Sequence, residues 1–275
     1  MEMRSFIYRL IRVLGDMLYP GRCLACRRLF NPYGSEKLQV RHDTTSVPAD
    51  DFGRIAAPYL CRACCTAFFP ADEPFCTCCG YVFESRQSQS HICPECRQQP
   101  KQFARARAFG IYAGSLKALI QAFKYAAKRQ LARPLGMLLL LACNRHALID
   151  SNDLIVPVPL HRRRLRQRGF NQSALPLTYW PKLAGSQDRP FSGCISATVL
   201  ERHRYTRPQA SFGRQERSVN IKDAFRVVES DRIAGQRILL VDDVYTTGAT
   251  VNECARVLMH AGAAEVNVLT IARAL

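Results

Sequence analysis

Apolar residues at the start of the chain recur at helical spacing. Phe6, Ile7, Leu10, Ile11, Leu14 and Leu18 are separated by Arg4, Arg9 and Arg12, which predicts an amphipathic helix over 4–18 that packs on the rest of the protein or on a partner. The periodicity then lapses until about residue 101 and returns as alternating helix and strand patterns. A helix is predicted over 114–132, with Leu116, Leu119, Ile120 and Phe123 on one face, followed by a more buried helix over 134–149. A strand over 154–158, a short helix over 171–179, a loop over 180–193 and weaker strands near 196–200 and 224–228 come next. A strand over 238–241, a helix over 250–261 and a last strand over 265–271 close the pattern. This alternation predicts an α/β domain with a parallel sheet flanked by helices. Three parts result: an N-terminal helix in 1–19, a small module in 20–100 and the α/β domain in 101–275.

The middle part is defined by cysteine. Ten of the thirteen cysteines fall in 20–100, and eight form C-x-x-C pairs: Cys23/Cys26, Cys61/Cys64, Cys76/Cys79 and Cys93/Cys96. Such spacing sets two thiolates on one tight turn, at the separation a tetrahedral Zn²⁺ requires. Four pairs predict two Zn²⁺ ions, most simply 23/26 with 61/64 and 76/79 with 93/96. A cross-brace pairing also satisfies the count, and either Cys65 or Cys78 could replace a neighbour. A polar segment, 35–58, interrupts the first set and reads as a mobile insertion.

Thirteen cysteines would suggest disulfides in a secreted chain, but Arg9 and Arg12 break the apolar run that a signal peptide needs. The run 138–141 is far too short to cross a bilayer. These features predict a cytoplasmic protein with reduced, metal-holding thiols. Its 39 Lys+Arg against 22 Asp+Glu give a formal charge of +17 in 275 residues, which favours polyanionic partners.

The densest chemistry lies in 238–250, Ile-Leu-Leu-Val-Asp-Asp-Val-Tyr-Thr-Thr-Gly-Ala-Thr. Four apolar residues make a buried strand. Asp242 and Asp243 stand at its carboxyl end, and a turn of small and hydroxylated residues opens a helix. Backbone N–H groups at such a turn converge on an anion, and the helix N-terminus adds positive partial charge. Thr246, Thr247 and Thr250 can donate to phosphate oxygens, while Gly248 allows close backbone approach. The two carboxylates only accept hydrogen bonds and so suit sugar hydroxyls. A ribose 5-phosphate satisfies both halves, and the stretch looks like the phosphoribosyl-pyrophosphate (PRPP) signature of type I phosphoribosyltransferases.

Two basic segments accompany it. Residues 157–172 leave a strand and include Arg162, Arg163, Arg164, Arg166 and Arg168. Arginine forks suit phosphate oxygens. Pro157, Val158, Pro159, Leu160, His161 and Arg162 are candidates for a pyrophosphate loop across the crevice. Arg163, Arg166 and Arg168, with Phe170 as a stacking platform, are candidates for a nucleic-acid groove. Residues 202–225 add Arg204 and Arg217, the latter three before Asn220 and able to share a helix face with it.

Taken in order, these motifs resemble the ComF family of phosphoribosyltransferase-like proteins. The resemblance rests on the four C-x-x-C pairs, Phe123-Lys124-Tyr125, Val-Pro-Val-Pro-Leu followed by Arg-Gly-Phe-Asn-Gln, Arg204-x-Thr206-x-x-Gln209, Arg217-x-x-Asn220-x-x-x-Ala224-Phe225 and the PRPP-like loop. It covers about residue 20 to the C-terminus, with the 35–58 segment and the N-terminal helix as additions. It implies a type I phosphoribosyltransferase fold behind a double zinc ribbon, and a cytoplasmic role in natural transformation, where incoming single-stranded DNA is received. It also implies that Asp242 and Asp243 hold ribose hydroxyls, directly or through Mg²⁺, with Val244, Tyr245, Thr246, Thr247, Gly248, Ala249 and Thr250 around the 5-phosphate. Three roles compete: a PRPP-dependent transferase, a non-catalytic module gripping single-stranded DNA and docking a competence helicase-like partner, and a zinc-stapled scaffold.

Overall fold

The computed structural model describes residues 21–32, 47–84, 89–149, 152–185, 193–206 and 219–275. The helix expected over 4–18 and Arg217 lie outside them. A five-stranded sheet forms the centre. In chain order the strands are β1 (Gly21–Arg22), β2 (Leu29–Phe30), β3 (Arg105–Ile111), β4 (Leu154–Pro157), β5 (Cys194–Ile195), β6 (Leu200–Arg202), β7 (Phe225–Val227), β8 (Arg237–Tyr245) and β9 (Glu265–Arg273). The helices are α1 (Val47–Ala56), α2 (Arg62–Thr66), α3 (Pro94–Gln98), α4 (Gly114–Tyr125), α5 (Ala132–Arg145), α6 (Arg162–Arg168), α7 (Trp180–Gly185) and α8 (Ala249–His260).

The central sheet runs β3-β9-β8-β4-β5 with every pairing parallel. β8 sits innermost, between β9 and β4, because both of its faces are apolar: Ile238, Leu239, Leu240 and Val241 are all fully buried, as strands covered on both sides must be. Side chains alternate between two cores. Leu239, Val241, Leu269 and Ile271 join α4, α5 and Trp180, whereas Ile238, Leu240, Val266 and Val268 join α8 and the second set of cysteines. The chain leaving β8 crosses on the α8 face, and the chain leaving β4 crosses on the Trp180 face. The crevice between β8 and β4 is therefore a switch point, where open parallel sheets bind ligands. A separate antiparallel ribbon, β6 with β7, stands beside it.

The helix expected over 171–179 is a 3-10 turn at Leu175–Tyr179, the strand expected near 196–200 is split into β5 and β6, and the strand expected over 238–241 runs through the acid pair to Tyr245; four further departures have a clear physical reason. β3 was not anticipated, because Arg105 and Arg107 mask the apolar face of an edge strand. The helix expected over 114–132 ends at Tyr125, where Ala127 takes a positive φ of 49° and a 3-10 turn follows. The loop expected over 180–193 begins as α7, anchored by fully buried Trp180, whose Nε1 donates to the Gly136 carbonyl at 2.9 Å. α5 has glycine at 136 because a Cβ there would strike the Pro176 carbonyl. The polar segment 35–58 is not wholly a loose insertion: α1 occupies its second half, with Phe52 fully buried and stacked on Phe68 at 4.2 Å. Its few apolar residues fall on one helical face, which outweighs its polar composition.

The cysteine-rich part shares both cores with the sheet rather than standing apart. Pro70 bridges Gly110, and the Ala106 N–H donates to the Cys78 carbonyl at 2.7 Å. Among the described residues no helix is long and apolar enough to cross a membrane.

Candidate functional site

A cavity of about 370 Å³ opens at the carboxyl ends of β8 and β4. Asp242 and Asp243 form its floor. Ser173 Oγ and the Asp243 backbone N–H both donate to Asp242 Oδ1 at 2.8 Å. Burial, with the neighbouring Asp243 charge adding to it, pushes the Asp242 carboxyl up to about 7. Asp243 Oδ1 receives Lys124 Nζ at 2.7 Å, with both side chains largely buried, while Asp243 Oδ2 is buried and has no hydrogen-bond partner among the described residues. Burial works against the Lys124 charge, but Asp243 and Asp242 outweigh it and hold the ammonium above its usual value. α4 presents Lys124 because its apolar face, Leu116, Leu119, Ile120 and Phe123, is packed down and leaves its last turn pointing at the floor.

The turn after β8 forms one wall. Thr246, Gly248, Ala249, Thr250 and Val251 line the cavity. Gly248 caps α8 at φ 77°, and a Cβ there would run into the Tyr245 hydroxyl. Tyr245 is 2% exposed; its ring supports the turn from below and faces the Arg273 guanidinium at 4.1 Å. Thr247 Oγ1 accepts from the Ala249 N–H at 3.4 Å, which shapes the turn.

The opposite wall carries Val158, Pro159, Leu160, Arg164, Arg168 and Arg202. Of the expected pyrophosphate loop, Pro157 ends β4, His161 caps α6 by accepting from the Arg163 N–H at 3.2 Å, and Arg162 turns outward to Glu201 at 3.5 Å. On this wall Arg168 is held by Gln172 and the Tyr125 ring, while Arg164, on the inner side of α6, and Arg202, on β6, face the cavity in place of Arg162. Arg202 is buried, bonds Thr206 and leaves Nε without a partner among the described residues. Burial first, then nearby Arg164, lowers it to about 10. Two guanidiniums so placed favour an anion between them.

Several candidates for nucleic acid fall differently. Phe170 is 5% exposed and packs on Phe123 at 4.8 Å, so it is core and cannot serve as a stacking platform; the Gly169 turn folds it inward. The exposed ring at the mouth is Tyr125, 72% accessible, with Arg168 over it at 5.3 Å. Arg166 is exposed on α6, and Arg163 lies over Tyr205 at 4.9 Å. Arg204 clasps the Asn220 and Lys222 carbonyls. Lys124, Tyr112, Tyr125, Gln172 and Ser173 enter the site although the chemistry of the motifs had not assigned them. The Phe-Lys-Tyr at the end of a helical pattern was the one signal pointing to Lys124 and Tyr125.

The eight paired cysteines gather into two groups, Cys23, Cys26, Cys61, Cys64 and Cys76, Cys79, Cys93, Cys96, each with its sulfurs within 4.8 Å of one another. Cys65 and Cys78 stand outside both. Backbone N–H groups of Cys79 and Cys93 point at Cys76 Sγ, at 3.4 and 3.3 Å. Burial raises the Cys76 thiol, but these donors more than offset it, to about 7. Four thiols on two turns, with amides aimed at sulfur, fit a tetrahedral thiolate-bound metal.

Residues 196–275 match the family described as phosphoribosyl transferase domain. The DNA utilization protein YhgH of Escherichia coli (strain K12) is 34% identical over 223 residues, 78% of this chain and 91% of the relative. The chain belongs to the ComF/YhgH family. Competence protein F of Haemophilus influenzae is 30% identical over 227 residues, 80% of this chain and 93% of that one. Competence protein ComFC of Bacillus subtilis shares 33% over 125 residues, 45% of this chain and 46% of its own. The ComF/YhgH match extends well beyond the phosphoribosyl transferase segment.

Proposed function

We propose that the chain binds PRPP, or a closely related ribose 5-phosphate, in the β8/β4 crevice and acts in the handling of incoming single-stranded DNA in the cytoplasm. One observation carries the ligand reading: the acid pair, the phosphate-type turn and the inward cations Arg164 and Arg202 line a single cavity. The 5-phosphate would sit on the 246–250 turn at the start of α8, the ribose hydroxyls on Asp242 and Asp243, and the diphosphate towards Arg164 and Arg202. The DNA reading draws on the names of the relatives, on the exposed arginines of α6, Arg163 and Arg166, and on the exposed Tyr125 ring beneath Arg168.

As a transferase, the site would let a nitrogen nucleophile form a bond to the anomeric carbon while the carbon–oxygen bond to diphosphate breaks and diphosphate leaves with the electron pair. The proton lost from nitrogen passes to solvent or to the departing phosphate. Positive charge builds on the sugar in that step, and buried carboxylates below the ring stabilise it without reorganising. Asp243 Oδ2, a hard oxygen with no hydrogen-bond partner among the described residues, also fits Mg²⁺ arriving with the ligand, where the ion would neutralise phosphate charge. Zn²⁺ in the two cysteine groups would be structural, since four thiolates leave no open position. Such thiolates require a reducing compartment, consistent with the cytoplasm.

Calorimetry of zinc-loaded protein against PRPP with Mg²⁺ tests the ligand reading. Saturable binding that disappears in Asp243→Asn supports it; silence in both proteins refutes it. For DNA, the logarithm of affinity should fall with the logarithm of salt at about 0.7 per phosphate neutralised. A salt-insensitive association would rule out contact through the exposed arginines of α6.

A further inference from the structure

Lys124 occupies the place where a cation belongs. Its Nζ lies 2.7 Å from Asp243 Oδ1, 119 residues away in sequence. Of the ion pair, 13% of the lysine and 6% of the aspartate side chain reach solvent. The helix is held to the sheet by its buried apolar face, Leu116, Leu119, Ile120 and Phe123, and Lys124 in its last turn is not part of that face. The two carboxylates, however, form adjacent acidic groups in a buried floor, and such a pair needs a positive partner. Among the described residues Asp243 Oδ2 has no hydrogen-bond partner.

We propose that Lys124 is a resident cation that excludes free divalent metal from the acid pair, so that the site accepts Mg²⁺ only as part of a metal–diphosphate ligand. This deepens the PRPP reading by naming how the site chooses its metal. A lone divalent ion approaching Asp243 would meet the ammonium at close range in a low-dielectric pocket, and the repulsion there is strong. A metal carried on a diphosphate brings negative charge with it. That charge can draw the ammonium from Asp243 towards a phosphate oxygen, leaving the carboxylate to the metal or to the ribose hydroxyls. Lys124 is thus a specificity residue, acting before any chemistry, and Tyr112 beside it completes the polar surroundings of the ammonium.

The test uses Mn²⁺ alone, read by electron paramagnetic resonance and calorimetry on full-length zinc-loaded protein, with zinc content and melting temperature as folding controls. The natural protein and Lys124→Arg should show no saturable Mn²⁺ binding. Lys124→Met should gain a saturable Mn²⁺ site, with an affinity at least tenfold above any residual binding by the natural protein, and adding Asp243→Asn should remove it. If Lys124→Met does not fold, Lys124→Gln, which keeps a neutral donor for Asp243, serves in its place. Mn²⁺ bound equally well by the natural protein, or bound by neither neutral variant, overturns the proposal. The result is independent of PRPP: a protein silent towards PRPP yet gaining Mn²⁺ in Lys124→Met would sink the ligand reading and leave the resident cation standing.

Discussion

Arg273 and Cys79 meet across 194 residues and join a cysteine group to the phosphate-type turn. Arg273 Nε donates to the Cys79 carbonyl at 3.2 Å, and Nη1 donates to the Thr246 carbonyl at 2.9 Å. The same guanidinium faces Tyr245, which props Gly248. One buried cation, at the last residue of β9, therefore ties the metal-type knuckle to the backbone that would hold phosphate.

Loss of the second cysteine group should consequently loosen the turn, while loss of the first should not. Cys96→Ser is expected to raise amide hydrogen exchange across 245–249, and Cys26→Ser, at an exposed position of the other group, to leave it unchanged. Arg273→Met should loosen the turn in the same way and destabilise the fold by about 3 kcal/mol, because several buried carbonyls lose their donor. Exchange that stays flat in Cys96→Ser would show that the turn stands without the knuckle.

Phe170 and Tyr125 should part company when shortened. Phe170→Ala removes a core ring and is expected to cost about 3–5 kcal/mol of stability, with DNA affinity per folded molecule unchanged. Tyr125→Ala should leave stability within about 0.5 kcal/mol and weaken single-stranded DNA by about 1–3 kcal/mol, the value of one stacked base. Denaturant melts and fluorescence anisotropy with an oligonucleotide separate the two; a DNA defect in Phe170→Ala at full folding would restore the stacking role to that ring.

The contrast shows what a chain tells of its own fold. The strand and turn of 238–250 were legible because a fully apolar run and a glycine turn each require a particular local structure, although the strand runs past its expected end at Val241 through the acid pair to Tyr245. Both cysteine groups were legible from spacing for the same reason. Lys124 was not, since its meaning depends on a partner brought near only when α4 packs on the sheet. Phe170 misled because a ring beside arginines in sequence reads as exposed, whereas the left-handed Gly169 turns it onto Phe123. Arg202 sits among polar neighbours in the chain, and only the pairing of β6 with β7 buries it at the cavity wall.

His146 makes stability depend on pH. Burial first, then Arg107 and Arg145, lowers its imidazole to about 4, and its ring meets Phe75 edge-on at 6.0 Å. The unfolded chain takes up the proton near 6.5, so the folded state has its full advantage above that pH and loses it as pH falls towards 4. Between pH 7 and pH 5 the loss from this residue alone is about 2 kcal/mol. Denaturant titrations of the natural protein and His146→Gln at both values should show the natural protein losing more by that amount. An equal loss in both would mean the imidazole titrates normally.

Gly248→Ala tests whether the turn, rather than the arginines, sets affinity for the phosphate. The position requires φ 77° and leaves no room for a Cβ beside the Tyr245 hydroxyl. A left-handed alanine costs about 1–2 kcal/mol, and relieving the clash must move either the Tyr245 ring or the start of α8. Moving the ring breaks its stack on Arg273; moving the helix turns the 249–251 amides away from the cavity. Ribose 5-phosphate, which lacks the diphosphate that Arg164 and Arg202 would meet, should therefore lose at least tenfold in affinity, about 1.4 kcal/mol. Arg202→Met should spare ribose 5-phosphate and weaken PRPP. If Gly248→Ala binds ribose 5-phosphate as the natural protein does, the 5-phosphate lies elsewhere in the cavity and the arginine wall becomes its site.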